Sequence, residues 1–116
     1  GFCPVPGQDD RHQDMANLAN QAARRLGLDI ELKPADFDND DTFIGEGYGI
    51  PSPEGLNALR TLARSEGILL DPVYTSKALA GLFAHAADGR LDGEAIFLHT
   101  GGSPALFAYA EEVLAE

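Results

Sequence analysis

Apolar residues recur at helical spacing in four places along the chain. Met15, Leu18, Ala22 and Leu26 follow Asp9-Asp10, carry Arg24-Arg25 in the last turn and stop at Gly27. That pattern predicts an amphipathic helix with an acidic start, a basic end and a glycine cap. Leu56, Leu59 and Ala63 form a second stripe. It opens at Ser52-Pro53-Glu54 and ends at Gly67, with serine as N-cap and proline at the first helical position. A third stripe, Leu79, Leu82, Phe83 and Ala86, begins near Tyr74-Thr75-Ser76 and closes at Gly89. The fourth opens at Ser103-Pro104 and buries Leu106, Phe107, Ala110 and Leu114.

Short, nearly continuous apolar runs lie between the helices: "ILLD" (68–71) and "AIFLH" (95–99). Such runs are expected of strands covered on both faces in a parallel sheet. "GFCPV" reads as the end of another strand and "IELKP" (30–34) as a peripheral one. Strand and helix alternate, which predicts an α/β class: an open parallel sheet with helices on both faces, a three-layer αβα arrangement. Residues 1–116 read as a single α/β piece, without repeat or linker. The chain starts at Gly1 inside an apparent strand, so the expectation is the C-terminal part of a longer protein, or one piece of a nicked one. The stretch from 34 to 51 lacks periodicity, and a loop that long in a compact domain is usually functional.

Charge changes the picture of partners. The net charge of −11 repels nucleic acid and anionic membrane surfaces, and otherwise serves solubility. The acidic stretch "DFDNDDTFIGE" (36–46) lacks the spacing of a calcium loop and reads as a solvated loop. Cys3 is the only cysteine, so no internal disulfide forms and a cytoplasmic setting fits. The histidines at 12, 85 and 99 have no zinc-site spacing, which predicts no metal. No apolar stretch approaches the roughly 18 residues of a membrane span.

Ligands of open α/β sheets bind beyond the carboxyl ends of the strands. Two such ends stand out: Pro72-Val73-Tyr74-Thr75 and Thr100-Gly101-Gly102-Ser103. The second is either an anion site at a helix start or simply a tight strand–helix turn. Tyr74 is either a half-buried packing residue or a pocket residue. Tyr48, between glycines in "GEGYGIP", fits a pocket better than a core. Tyr109 reads as helix packing, His85 as structural, and His99 as a core histidine bonded to backbone. Lys77, in a first helical turn, opposes the helix dipole and is expected to reach solvent or a carboxylate. Lys33, before Pro34, shows no sign of a reactive environment.

Three ordered stretches carry a resemblance: "GEGYGIPSPEGLNALRTLARSEGILLDPVYTSKALAGL", "IFLHTGG" and "PALFAY". Over about residues 45–110 the chain resembles the C-terminal region of the D-cysteine desulfhydrase / 1-aminocyclopropane-1-carboxylate deaminase family. These are enzymes of the tryptophan-synthase-β-like fold, fold-type II, that use pyridoxal 5'-phosphate (PLP). The resemblance implies that Tyr74 lies near cofactor and substrate, with Thr75 beside it. It implies that Tyr48 lines the substrate pocket, and that Thr100 hydrogen-bonds the pyridine nitrogen of PLP, with Gly101 making room for the ring. The implied reaction is β-elimination from a small β-substituted amino acid, D-cysteine giving pyruvate, sulfide and ammonia. A neutral Thr beside the pyridine nitrogen suits expulsion of a β leaving group better than a carboxylate would.

Members that open the cyclopropane ring carry Glu after the active-site Tyr and Leu in place of the "HTGG" Thr. Thr75 and Thr100 therefore point to the desulfhydrase branch, which also includes an L-cysteate sulfo-lyase. The lysine that binds PLP covalently and the phosphate loop lie upstream in the family, and neither Lys33 nor Lys77 matches that lysine. The resemblance further implies a homodimer and a chain that is inactive without its N-terminal remainder. The contrasting expectation is a non-catalytic α/β module binding a small anion at Thr100-Gly101-Gly102.

Overall fold

The computed structural model describes Phe2 and residues 11–115, and these fall into two compact units. The first, residues 11–40, is built on α1 (Arg11–Leu26). Gly27 ends α1 at φ 68°, and the Leu28 N–H reaches back to the Ala23 carbonyl at 2.9 Å. That is the left-handed glycine stop anticipated from the sequence. The buried face, however, is Ala16 and Ala23, while Leu18 and Leu26 are exposed. Asn20 lies on the same stripe. Its side-chain amide pairs with the backbone of Leu32, donating to the carbonyl at 2.7 Å and accepting from the N–H at 2.8 Å. The segment 30–32 is thus held by a side chain rather than by a strand neighbour, and a 3-10 turn (Pro34–Asp36) follows.

The second unit holds Phe2 and residues 41–115. Its centre is α2 (Pro53–Glu66) packed on α3 (Thr75–Ala87). Ser52 caps α2 by accepting from the Gly55 N–H at 3.1 Å, and Gly67 stops it at φ 68°. Gly55 permits the close approach of α3: a Cβ there would lie 3.2 Å from the Ser76 hydroxyl. The core comprises Ala58, Leu59, Leu70, Leu79 and Ala80, edged by Phe43, Leu62, Leu82, Phe97, Leu106 and Val113.

The structure differs from the sequence-based expectation in three places. First, no strand ladder occurs among the described residues. The runs 68–71 and 95–99 carry no regular secondary structure, and Ile96 is 97% exposed and Leu98 78%. A parallel ladder needs a partner strand from elsewhere in sequence, and none of the described segments supplies one. Of "GFCPV", only Phe2 is described, and the rest lies outside the described residues. Second, the fourth helix divides into a 3-10 segment (Ser103–Phe107) and a short α4 (Ala110–Leu114). Tyr109, between them, leaves the helical backbone range, and Phe107 and Leu114 are exposed. The α4 end is held instead by Arg60, whose guanidinium donates to the carbonyls of Val113 at 2.9 Å and Glu112 at 2.7 Å. Third, Phe83 and Ala86 of α3 face outward, although Gly89 closes the helix at φ 68° as anticipated.

The start of α3 depends on Asp71, which is 1% exposed. Its Oδ2 accepts from the N–H groups of Val73 (2.8 Å) and Tyr74 (2.7 Å). Its Oδ1 accepts from the Thr75 N–H (2.8 Å) and hydroxyl (2.6 Å). Thr75 Oγ1 in turn accepts from the Asp71 N–H at 2.9 Å. One carboxylate thereby satisfies donors that the helix itself leaves open. Burial pushes the Asp71 carboxyl up, but the hydrogen bonds from Thr75, Tyr74 and Val73 outweigh it and hold the group below its usual 3.8. A carboxylate depressed by folding stabilises the fold above its unfolded-state pKa. That stabilisation is lost as pH falls through the lower folded value. Asp71→Asn should therefore cost about 1–3 kcal/mol at neutral pH. It should also flatten the loss of stability below pH about 4 in urea titrations, since the variant has no carboxyl to protonate.

Candidate functional site

Tyr74 emerges on the solvent side of this cap, with its backbone N–H fixed by Asp71 and its ring exposed. Its hydroxyl is hydrogen-bonded to that of Tyr48, and the two rings meet edge-on with centroids 5.9 Å apart. The pairing links two tyrosines 26 positions apart that the sequence placed separately on a loop and a helix start. The hydrogen bond with Tyr48 raises the Tyr74 pKa first, then desolvation, then the charges of Tyr48, Asp71 and Tyr109. Each of these influences disfavours the phenolate form of Tyr74.

Beside Tyr74 opens a cleft of about 210 Å³, lined by Phe2, Phe43, Tyr74, Thr75, Lys77, Ala78, Leu98 and Thr100. Complete small-molecule pockets usually measure about 300–1,000 Å³, so these residues form a partial wall. Phe2, Phe43 and His85 make an aromatic cluster, with centroids 5.3–6.2 Å apart. The Phe2 ring lies where a Cβ on Gly81 would stand, 2.1 Å from its nearest atom.

The turn Thr100-Gly101-Gly102 closes the other side. His99 Nδ1 accepts from the Gly101 N–H at 3.0 Å, which leaves Nε2 protonated to donate to the Leu69 carbonyl at 2.9 Å. His99 is bonded to backbone as anticipated, but it is exposed rather than in the core. Because the Gly101 N–H is engaged by His99, one donor that an anion would need is already taken. Gly102, at φ 90°, is required by Asp71: a Cβ would stand 2.8 Å from the Asp71 Cβ and Cγ. Gly101, at φ 96°, has no atom within 4 Å of its Cβ position. The Thr100 hydroxyl makes no hydrogen bond with the described residues.

The arrangement brings Tyr74, Thr75 and Thr100 to one cleft, with Tyr48 joined to it through Tyr74. Thr75 spends its hydroxyl on Asp71 rather than presenting it to a ligand. A free hydroxyl, an uncovered glycine, apolar walls and a phenol pair suit a flat aromatic ligand with one polar edge.

Two further residues depart from the sequence reading. Lys77 is 3% exposed and reaches neither solvent nor a carboxylate. Its Nζ donates to the carbonyls of Ile44 (2.6 Å) and Gly47 (3.0 Å), and burial pushes its pKa down. Tyr109 is not merely helix packing, because its hydroxyl donates to the Gly49 carbonyl at 2.7 Å. Asp71 was legible as an Asp just before a helix start, and Lys77 as a cation placed against a helix dipole.

No helix among the described residues is long and apolar enough to cross a membrane. A family model described as "Pyridoxal-phosphate dependent enzyme" matches residues 4–101. The chain is also similar to a solved structure described as "Crystal Structure Analysis of the ACC deaminase homologue", with 34% identity and a TM-score of 0.79. That match covers 98% of this chain and 34% of the other, so the chain spans about a third of that relative's length. The fold of the ACC deaminase homologue and the family match agree, and the chain belongs to the family of pyridoxal-phosphate-dependent enzymes.

Proposed function

We propose that this chain forms one wall of the active site of a β-elimination lyase acting on a small β-substituted amino acid, with D-cysteine as the favoured substrate. The observation that carries this reading is the Tyr48–Tyr74 phenol pair standing beside the cleft that Thr100 lines. The apolar runs 68–71 and 95–99 would join a parallel αβα sheet in the complete enzyme. Both compact units would belong to its large cofactor-binding domain. The lysine that holds the cofactor and the phosphate loop would come from outside this chain, because Lys77 is committed to loop carbonyls. The single cysteine suits a cytoplasmic setting. A homodimer is the proposed assembly.

When bound, pyridoxal phosphate supplies an electron sink for negative charge at the substrate α-carbon. Thr100 would offer its free hydroxyl to the pyridine nitrogen. A hydroxyl is neutral and, unlike a carboxylate, does not hold that nitrogen protonated. A neutral Thr100 hydroxyl at that position would suit departure of a β substituent better than a carboxylate would. Tyr74 would orient the substrate carboxylate or hold a proton at its hydroxyl oxygen, with Tyr48 fixing the direction of that hydroxyl. Gly101 leaves space beside Thr100 for a ring, and Phe2, Phe43 and Leu98 give the cleft apolar walls. The similarity to the ACC deaminase homologue supports a second reading, ring-opening deamination of a cyclopropane amino acid. Thr at positions 75 and 100 argues against it.

The full-length protein should take up PLP, turn yellow and release pyruvate from D-cysteine. It should yield far less of a four-carbon 2-oxo acid from 1-aminocyclopropane-1-carboxylate. A colourless protein that neither retains PLP nor releases pyruvate would sink the proposal, and preference for the cyclopropane substrate would move it to the second reading. Thr100→Ala should keep stoichiometric PLP yet lower kcat by about tenfold or more, the scale of one lost polar contact. Turnover equal to wild type would remove Thr100 from its role. Tyr74→Phe should lower kcat by about 100-fold, the lower end of general acid–base effects, and an unaltered kcat would count against Tyr74.

A further inference from the structure

The loop that presents Tyr48 is held from both flanks. Before Tyr48, the Lys77 ammonium donates to the carbonyls of Ile44 at 2.6 Å and Gly47 at 3.0 Å. After it, the Tyr109 hydroxyl donates to the Gly49 carbonyl at 2.7 Å. The loop's own backbone bonds are long, Ile50 N–H to Gly47 carbonyl and Ile44 N–H to Asp41 carbonyl both at 3.4 Å. Gly45 and Gly49 adopt φ 70° and 77°, a region open mainly to glycine. Each such residue loses about 1–2 kcal/mol of backbone entropy on being fixed. A loop so free by composition stays in one place only if something outside it supplies the bonds.

The two anchors are specific to that task. Lys77 is 3% exposed, and no carboxylate pairs with it among the described residues. Burying an ammonium is costly unless its donors are met, and here only loop carbonyls meet them. Tyr109 sits at the break between the 3-10 segment and α4, 60 positions after the glycine it binds. We propose that Lys77 and Tyr109 are positioning residues that clamp the Tyr48 loop, so that the Tyr48 phenol meets the Tyr74 phenol. This rests on the assignment of those two tyrosines to the reacting side of the cleft. Neither clamp residue needs to touch substrate: Lys77 acts on the backbone at Ile44 and Gly47, and Tyr109 on the backbone at Gly49.

The test uses the PLP-loaded full-length enzyme and its Tyr109→Phe, Lys77→Met and Tyr48→Phe variants. Tyr109→Phe removes only a hydroxyl, so it remains decisive even where Lys77→Met fails to fold. Hydrogen–deuterium exchange of the loop amides at 44–50 should quicken at least about tenfold in Tyr109→Phe, with α2 unchanged. In D-cysteine turnover, kcat should fall about 10- to 100-fold while KM moves less than about threefold. Combined with Tyr48→Phe, Tyr109→Phe should add almost no further loss, because both act through one phenol. Unchanged loop exchange in Tyr109→Phe, or losses that simply multiply in the double variant, would overturn the clamp. If Tyr48→Phe alone costs nothing, the functional assignment of Tyr48 fails, and loop exchange still decides the clamp by itself.

Discussion

The second unit turns on one buried carboxylate. Asp71 follows an apolar run, precedes a helix and receives four hydrogen bonds within five residues of chain. A buried anion is tolerable only when its lone pairs are met. The donors that meet it are those the first turn of α3 would otherwise leave open. Two separate problems, a charge without water and a helix end without acceptors, therefore cancel. The backbone of Tyr74 is fixed in the process, which is why an exposed tyrosine can have a defined position. Gly102 belongs to the same arrangement, since any side chain there would collide with Asp71.

A similar economy governs the loop before α2. Irregular backbone carries carbonyls that no ladder or helix satisfies. Here side chains from α3 and from the α4 junction supply donors to them. Asn20 does the same for Leu32 in the first unit, through paired donor and acceptor. These two loops are held by side chains that come from helices or from the junction before α4.

Much of this was legible from residue order. Ser52-Pro53, Gly27, Gly67 and Gly89 mark helix ends through local chemistry, and local chemistry is visible in a single sequence. The cleft residues Tyr74 and Thr100 were found because they follow apolar runs. Facing and partnership were less legible. Leu18, Leu26, Phe83 and Phe107 suit a buried stripe by spacing, yet the buried positions are often the smaller neighbours, such as Ala16, Ala23 and Gly81. Strand pairing depends on segments far apart in sequence, so an apolar run announces a strand without saying what pairs with it. The roles of Lys77 and Tyr109 lie in contacts 30 to 60 residues distant, beyond any local pattern.

The segment 95–99 carries no Asp, Glu, Lys, Arg or proline, and its Ile96 side chain is almost wholly in water. Such a window is a ready template for edge-to-edge pairing between copies. Asp92 and Glu94 stand immediately before it, where like charges on approaching copies repel. Like charge beside an exposed apolar run disfavours pairing of that run with a second copy of itself.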